Sequence, residues 1–243
     1  MIQTIKNITK RILGFLGIQI TQNQRYDAWT SKIMQKYLTE TSNCVDVGSH
    51  KGELLKEMST LAPKGKHYAF EPIPELFKDL KSKYNGNTTV YNVALSDEKG
   101  TSSFQHIVSK PAYSGMKLRS LDHNATVEEI QVKTEMLDNI VQDASSIDLI
   151  KIDVEGAELQ VLKGAKKVLN ESKPLVIFEH GLGASDHYGT KPEHIYGLLS
   201  ECGLAVSLLP DYLEGNAALS LDQFKEQFYR GTNYYFVAHP SRS

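Results

Sequence analysis

Short apolar runs alternate with amphipathic stretches along most of the chain, a pattern that predicts a parallel sheet covered on both faces. From Asn43 onward the predicted strands are Cys44–Val47, His67–Phe70, Val90–Ala94, Ile147–Val154, Pro174–Phe178, Leu204–Leu208 and Tyr234–Ala238. The predicted helices among them are Glu53–Met58, Glu75–Lys83, Glu158–Leu169, Pro192–Cys202 and Leu221–Tyr229. Thr101–Ile107 and Ile130–Met136 form extra strands around a loop from Ser109 to Asn124. Upstream, Ile2, Ile5, Ile8, Ile12, Leu13 and Leu16 recur at helical spacing beside Lys6, Lys10 and Arg11, which predicts a basic amphipathic helix. Such a helix either docks on its own domain or on a second subunit, as in a homodimer, or lies peripherally on a membrane surface. A second helix carries Tyr26, Trp29, Ile33 and Tyr37 on one face, read as core-facing. Residues 1–40 are expected to form an N-terminal helical extension and residues 41–243 one catalytic domain.

Composition narrows the partners. The chain has 243 residues and 40% hydrophobic content, enough to bury the core of one such domain. Its 27 basic residues nearly balance 29 acidic ones, so no broad electrostatic footprint invites nucleic acid, and none is expected as a partner. Cys44 and Cys202 are too few for a disulfide framework and are read as buried, reduced thiols. No apolar run approaches the roughly 20 residues that span a bilayer, and the stretch Ile12 to Ile18 is too short and Gly-interrupted for a secretory signal. A cytoplasmic protein is expected, peripheral at the membrane if the first helix binds there.

The run Ile147 to Val154 leads into Lys151-Ile152-Asp153-Val154-Glu155-Gly156-Ala157-Glu158. Extended geometry would project Lys151, Asp153 and Glu155 to one side and Ile152 and Val154 to the other. Charge on an otherwise buried strand is costly unless it is paired or used. The plain reading is a polar face on an edge strand; the sharper one is a carboxylate site at a strand's C-terminal end, where open α/β sheets bind ligands. The first strand ends in Val45-Asp46-Val47-Gly48-Ser49-His50-Lys51-Gly52 and enters a helix, which suits a nucleotide-type cofactor loop. The dinucleotide fingerprint is incomplete, because no third glycine follows Gly52 at its required place. Glu71, at the end of the next strand, suits the paired hydroxyls of a ribose. Asp46 would repel a pyrophosphate but suits the ammonium of S-adenosylmethionine. A methyl donor fits better than a dinucleotide.

The ordered set Asp46-Val47-Gly48 with Gly52, Phe70-Glu71-Pro72, Asn92 through Asp97, Thr134 through Leu137-Asp138, Ile152 through Glu158, and Glu179-His180 resembles the FkbM family of S-adenosylmethionine-dependent methyltransferases. The resemblance runs from about Asn43 to His180. It implies an α/β fold of class I methyltransferase type, a Rossmann-like, mostly parallel seven-stranded sheet with one antiparallel strand and helices on both faces. It also implies O-methylation of a small acceptor, a hydroxyl of a sugar, glycan, glycolipid or natural product. Carried onto this chain, it has Asp46 hold the donor's amino group, while Gly48, Ser49 and Gly52 admit the methionine portion. Glu71 would take the ribose, and Val93 and Ala94 would border the adenine. Two departures stand out. Ser49-His50 replaces a small residue followed by asparagine, and Met136 replaces a small hydroxyl residue, which would let Met136 reshape the pocket.

Methyl transfer to oxygen is an in-line displacement, so the tasks are positioning the hydroxyl and removing its proton. Asp153 and His180 are expected to face the acceptor, one as general base, with Glu155 or Glu179 orienting it; histidine suits that role because it titrates near working pH. The same four residues are alternatively a ligand set for Mg²⁺ or Mn²⁺, which would acidify the hydroxyl directly. Segments Ser109–Asn124 and Leu182–Lys191 flank the expected site and carry Tyr113, Arg119, His123, His187 and Tyr188. Two other function classes compete. A NAD-dependent oxidoreductase on the same sheet would be excluded by tight S-adenosylhomocysteine binding with no response to NAD. A non-catalytic scaffold, recruiting a partner through the first helix, would bind donor and methylate nothing.

Overall fold

The structure is a computed structural model that describes residues 21–107, 114–117, 126–141, 143 and 146–241. The amphipathic stretch Ile2 to Leu16, together with Tyr113, Arg119 and His123, lies outside these residues. Helix α1 (Gln22–Tyr37) is followed by β1 (Cys44–Val47), α2 (Glu53–Leu61), β2 (His67–Phe70), α3 (Pro74–Lys83) and β3 (Thr88–Tyr91). Then come β4 (Ala94–Leu95), β5 (Gly100–Ile107), β6 (Val127–Glu135), α4 (Leu137–Ile140), β7 (Leu149–Ile152), α5 (Glu158–Lys163) and α6 (Lys166–Ser172). The chain continues through β8 (Leu175–Glu179), a 3₁₀ turn (Ser185–Tyr188), α7 (Pro192–Glu201), β9 (Leu204–Leu208), α8 (Leu209–Glu214), α9 (Leu221–Arg230) and β10 (Tyr235–Pro240). Seven strands form one sheet in the order β3-β2-β1-β7-β8-β10-β9, with β10 antiparallel to both neighbours. A second sheet, β4-β6-β5, lies beyond it. This is the expected α/β architecture.

Strands β1 and β7 are buried at every position, as strands covered on both faces must be. Their period of two sorts side chains into two cores. Val45, Val47, Ile150, Ile152, Val176 and Phe178 join one cluster, while Cys44, Leu149, Leu175, Ile177 and Val237 join the other with Ile33 and Met34 of α1. Each large apolar side chain fully buried this way contributes about 1.5–3 kcal/mol. Thus α1, expected as part of an extension, packs into the core of the large sheet. Parity then places Asp46, Lys151, Glu179 and Tyr235 on the α1 face, since each lies two residues from a member of that cluster. The register pairs Asp46 with Lys151 and Tyr235 with Glu179. Chemistry therefore gathers at the edge of the face that α1 covers.

Two expected elements are divided. Val90–Ala94 splits because Asn92 turns the chain, its Nδ2 donating to the carbonyls of Glu71 and Pro72 at 2.9 Å, and β4 leaves to pair with β6. Glu158–Leu169 breaks at Gly164, where a Cβ would stand 2.0 Å from the Ser96 carbonyl oxygen. The restarted helix α6 receives its cap from Asp138, whose carboxylate accepts from Lys167 N at 2.8 Å and Val168 N at 3.0 Å. Met136 packs toward Gly164 and is absent from the described walls of the cavities below, so its expected effect on the pocket is not found.

Candidate active site

At the end of β1 the chain must turn while three strands converge. Gly48 adopts φ 80, and a Cβ there would lie 2.0 Å from the Asp153 carbonyl oxygen, so only glycine lets β1 and β7 ends approach so closely. Gly48 N and Ser49 N both donate to Phe70 O, at 3.0 and 3.1 Å, tying in β2. Gly52, at φ 81, caps α2. His50 N donates to Glu71 Oε2 at 2.8 Å, and Ile73 N donates to Oε1 at 2.9 Å. Burial pushes the Glu71 carboxyl up to about 7 against those two bonds. The role of His50 left open by the sequence is thus partly a backbone one. Ser49 Oγ donates to the Asp46 carbonyl at 2.9 Å. Asp46 itself is 3% exposed, and its Oδ2 has no hydrogen-bond partner among the described residues. Burial pushes its carboxyl up to about 6 against the pull of Lys151.

Two cavities open from this loop. One is walled by Phe70, Glu71, Val93, Ala94, Phe104 and Met116; the other, of about 1050 Å³, is a cleft walled by α1, α2 and the ends of β1, β8 and β10. Gly48, His50, Asp153 and Glu155 line both. Asp153, Glu155 and Glu179 bring carboxylate oxygens within 4.8 Å of one another. Lys151 Nζ, 2% exposed, sits 3.3 Å from Asp153 Oδ2 and from the Tyr235 hydroxyl, and 4.7 Å from the centre of the Tyr235 ring. Tyr235 also donates to Asp153 Oδ2. Burial alone would raise the Asp153 carboxyl, but Lys151 and the tyrosine outweigh it and hold it below the usual range. Glu155 stands at φ 58, a costly conformation for a side-chain-bearing residue. Glu158 holds that turn from behind, its Oε1 accepting from Val154 N and Gly156 N at 3.3 and 3.1 Å, so it does more than open α5.

His180 departs from expectation. It lies two residues beyond Phe178 and so faces the other core, 0% exposed, with ring centres 4.6 Å from Phe228 and 5.7 Å from Phe224. Its Nδ1 pairs with Ser185 Oγ at 3.0 Å, and burial pushes it down to about 3. It neither lines the large cleft nor joins the three clustered carboxylates; Glu179, one residue earlier, points the other way. The sequence also missed Tyr235, Asp27 and Tyr26 as cleft residues. Tyr26 stacks on Tyr235 with centres 5.1 Å apart. The signal available was parity: Tyr235 alternates with Val237 of the α1-facing core. Of the flanking loops, Tyr188 accepts from Lys117 N at 2.9 Å and Lys117 Nζ donates to His187 O at 3.0 Å, so the two loops join each other.

Among the described residues no helix is long and apolar enough to cross a membrane. The Methyltransferase FkbM domain profile matches residues 46–204. Hexuronic acid methyltransferase AglP of Haloferax volcanii is 32% identical over 168 residues, which cover 67% of this chain and 63% of the relative. The 2-O-methyltransferase NoeI of Sinorhizobium fredii is 26% identical over 149 residues, covering 53% of this chain and 59% of the relative. The chain thus spans about six-tenths of the length of these curated relatives. Among solved structures, methyltransferase FkbM from Methylobacillus flagellatus KT superposes with a TM-score of 0.52 at 15% identity, over 83% of this chain and 44% of the other.

Proposed function

Because the chain belongs to the FkbM methyltransferase family, we propose that it moves a methyl group from S-adenosylmethionine to a hydroxyl oxygen of a sugar or glycan acceptor. The family implies the donor, and the residues present fit it. Asp46 offers a buried, unpartnered carboxylate oxygen for an ammonium. Gly48, Ser49 and Gly52 provide the bare backbone turn for the methionine portion, Glu71 the ribose acceptor, and Val93 and Ala94 the adenine wall. Bound there, the donor supplies an electrophilic methyl on a sulfonium. The chain's own part is to place and deprotonate the acceptor. Asp153 takes the hydroxyl proton at its carboxylate, Lys151 and Tyr235 hold that carboxylate ionised and oriented, and Glu155 and Glu179 flank it. General base assistance of this kind contributes about 10²–10⁴-fold. Sugar as acceptor draws on the names of the two relatives, one acting on a hexuronic acid and one at a 2-O position. The catalytic domain in this reading begins with α1.

The observation that carries the proposal is the meeting of the donor loop and the carboxylates at Gly48 and Asp153, where both cavities share a wall. The test is incubation with labelled donor and a panel of glycans and glycolipids, followed by mass spectrometry of the products. A protein that binds no S-adenosylhomocysteine and methylates nothing in the panel is not this enzyme. A second reading is favoured by the clustering of Asp153, Glu155 and Glu179: an all-oxygen set suited to Mg²⁺ or Mn²⁺ that would acidify the hydroxyl. Full activity after exhaustive chelation removes it.

A further inference from the structure

Glu155 stands beside Asp153 on the wall that both cavities share. Its backbone is left-handed at φ 58, a conformation that a residue with a side chain keeps only where its surroundings over-determine it. Glu158 supplies one restraint, accepting from Val154 N and Gly156 N. The other comes from two loops distant in sequence. At Gly156, φ 109, a Cβ would lie 2.5 Å from the Ala184 carbonyl oxygen and 2.9 Å from Tyr188 Cδ2, so the bare backbone of the turn sits flush against that ring. Gly115 meets the same ring from its own loop: a Cβ there would lie 3.6 Å from Tyr188 Oη and 3.4 Å from Glu155 Cβ. The ring is itself anchored. Lys117 N donates to its hydroxyl at 2.9 Å, while Lys117 Nζ donates to His187 O at 3.0 Å and lies 5.1 Å from the ring centre. Gly115 is tied to β5 by reciprocal bonds with Gln105 at 2.7 and 3.2 Å, and Ser185, buried in the second loop, pairs with His180 Nδ1 at 3.0 Å. Tyr188 is absent from the described walls of both cavities, so its effect on a bound molecule runs through Glu155.

Resting on the methyltransferase reading above, we propose that Tyr188 is a positioning residue of the transfer: its ring braces the Glu155–Gly156 turn and so sets where the Glu155 carboxylate stands beside Asp153. The ring carries this role and the hydroxyl does not, because its bond from Lys117 N is solvent-exposed and water replaces it at little cost.

The test has two readouts. In the free protein, amide hydrogen exchange over residues 153–158 is expected to be faster in Tyr188→Ala than in the wild type, and near wild type in Tyr188→Phe. Turnover is measured on the glycan that gains label in the panel above. Tyr188→Ala is expected to lower kcat about 10–100-fold, the scale of a misplacement of about 1 Å, with acceptor KM and S-adenosylhomocysteine affinity changed far less, and Tyr188→Phe to restore it. Glu155→Gln, costly alone, should cost little more in the Tyr188→Ala background, since residues that act as a unit are not additive. If Tyr188→Ala does not fold, Tyr188→Leu, which keeps apolar bulk without the ring, takes its place in both readouts. Unchanged exchange or wild-type kcat in that variant, wild-type kcat in Glu155→Gln, a Tyr188→Phe protein as slow as Tyr188→Ala, or losses that simply multiply in the double variant overturn the proposal. A wild-type chain that transfers no methyl to any glycan refutes the methyltransferase reading instead, and the exchange result still decides whether Tyr188 holds the turn.

Discussion

Lys151 is 2% exposed, and a charge so placed costs several kcal/mol unless it is matched. Asp153 and Tyr235 match it, and in doing so they fix the carboxylate that faces both cavities. Asp153→Asn keeps the shape and removes the charge, so turnover is expected to fall about 10²–10⁴-fold while affinity for S-adenosylhomocysteine, read by calorimetry, changes only a few-fold. Asp46 yields a prediction in pH. Its carboxyl, pushed up to about 6, binds an ammonium only when ionised, so protonation competes with the donor. Affinity for S-adenosylhomocysteine should fall toward about tenfold per unit as pH drops below 6, and Asp46→Asn should be weak but flat across that range. Glu71, pushed up to about 7, loses its charge earlier, but a neutral carboxyl still bonds a hydroxyl. That Asp46, Glu71 and Asp153 line the cavities was legible in the sequence, because each stands where a predicted strand ends. His180 was misread by one step of strand parity. The Lys151–Tyr235 contact was illegible, because it depends on which strands become neighbours, and β10 follows β8 in the sheet only after a long excursion through α7, β9 and two further helices.

At the scale of elements, the strands of the large sheet were readable from apolar runs alone, since burial on both faces leaves little else in them. Divided elements were not readable. Nothing local in Glu158 to Leu169 announces that Gly164 must clear the Ser96 carbonyl, and Leu209–Glu214 followed β9 too closely to be separated from it. The interruption leaves α6 with an unsatisfied N-terminus, and Asp138 of the short helix α4 supplies what its own sequence does not. Asp138→Ala is expected to cost about 1 kcal/mol, a drop in Tm of about 2–4 °C for a chain of this size, with donor affinity unchanged. A loss of donor binding larger than the loss of stability would assign Asp138 to the site instead.

Over the whole molecule, the cleft is closed by segments far apart in sequence. Tyr26 accepts from Gln22 Nε2 at 2.7 Å, donates to Asn233 Oδ1 at 3.1 Å and packs against Tyr234 and Tyr235. Gln22 Nε2 in turn reaches Thr232 O at 2.8 Å. Tyr26→Ala should therefore raise the acceptor KM and lower Tm, with S-adenosylhomocysteine affinity preserved, because in the proposed function β1, β2 and the loop between β1 and α2 would hold the donor without it. Equal losses for donor and acceptor would mean that the cleft is one undivided site. The same clasp sets a timetable for synthesis. Tyr26 waits for a partner 207 residues downstream, on the order of ten seconds or more at ribosomal speed. Asp153, once made, waits 82 residues for Tyr235, and until then it and Lys151 stand without their tyrosine. A product released before residue 235 would lack β10, and with it both a strand of the large sheet's interior and the hydroxyl that meets Asp153.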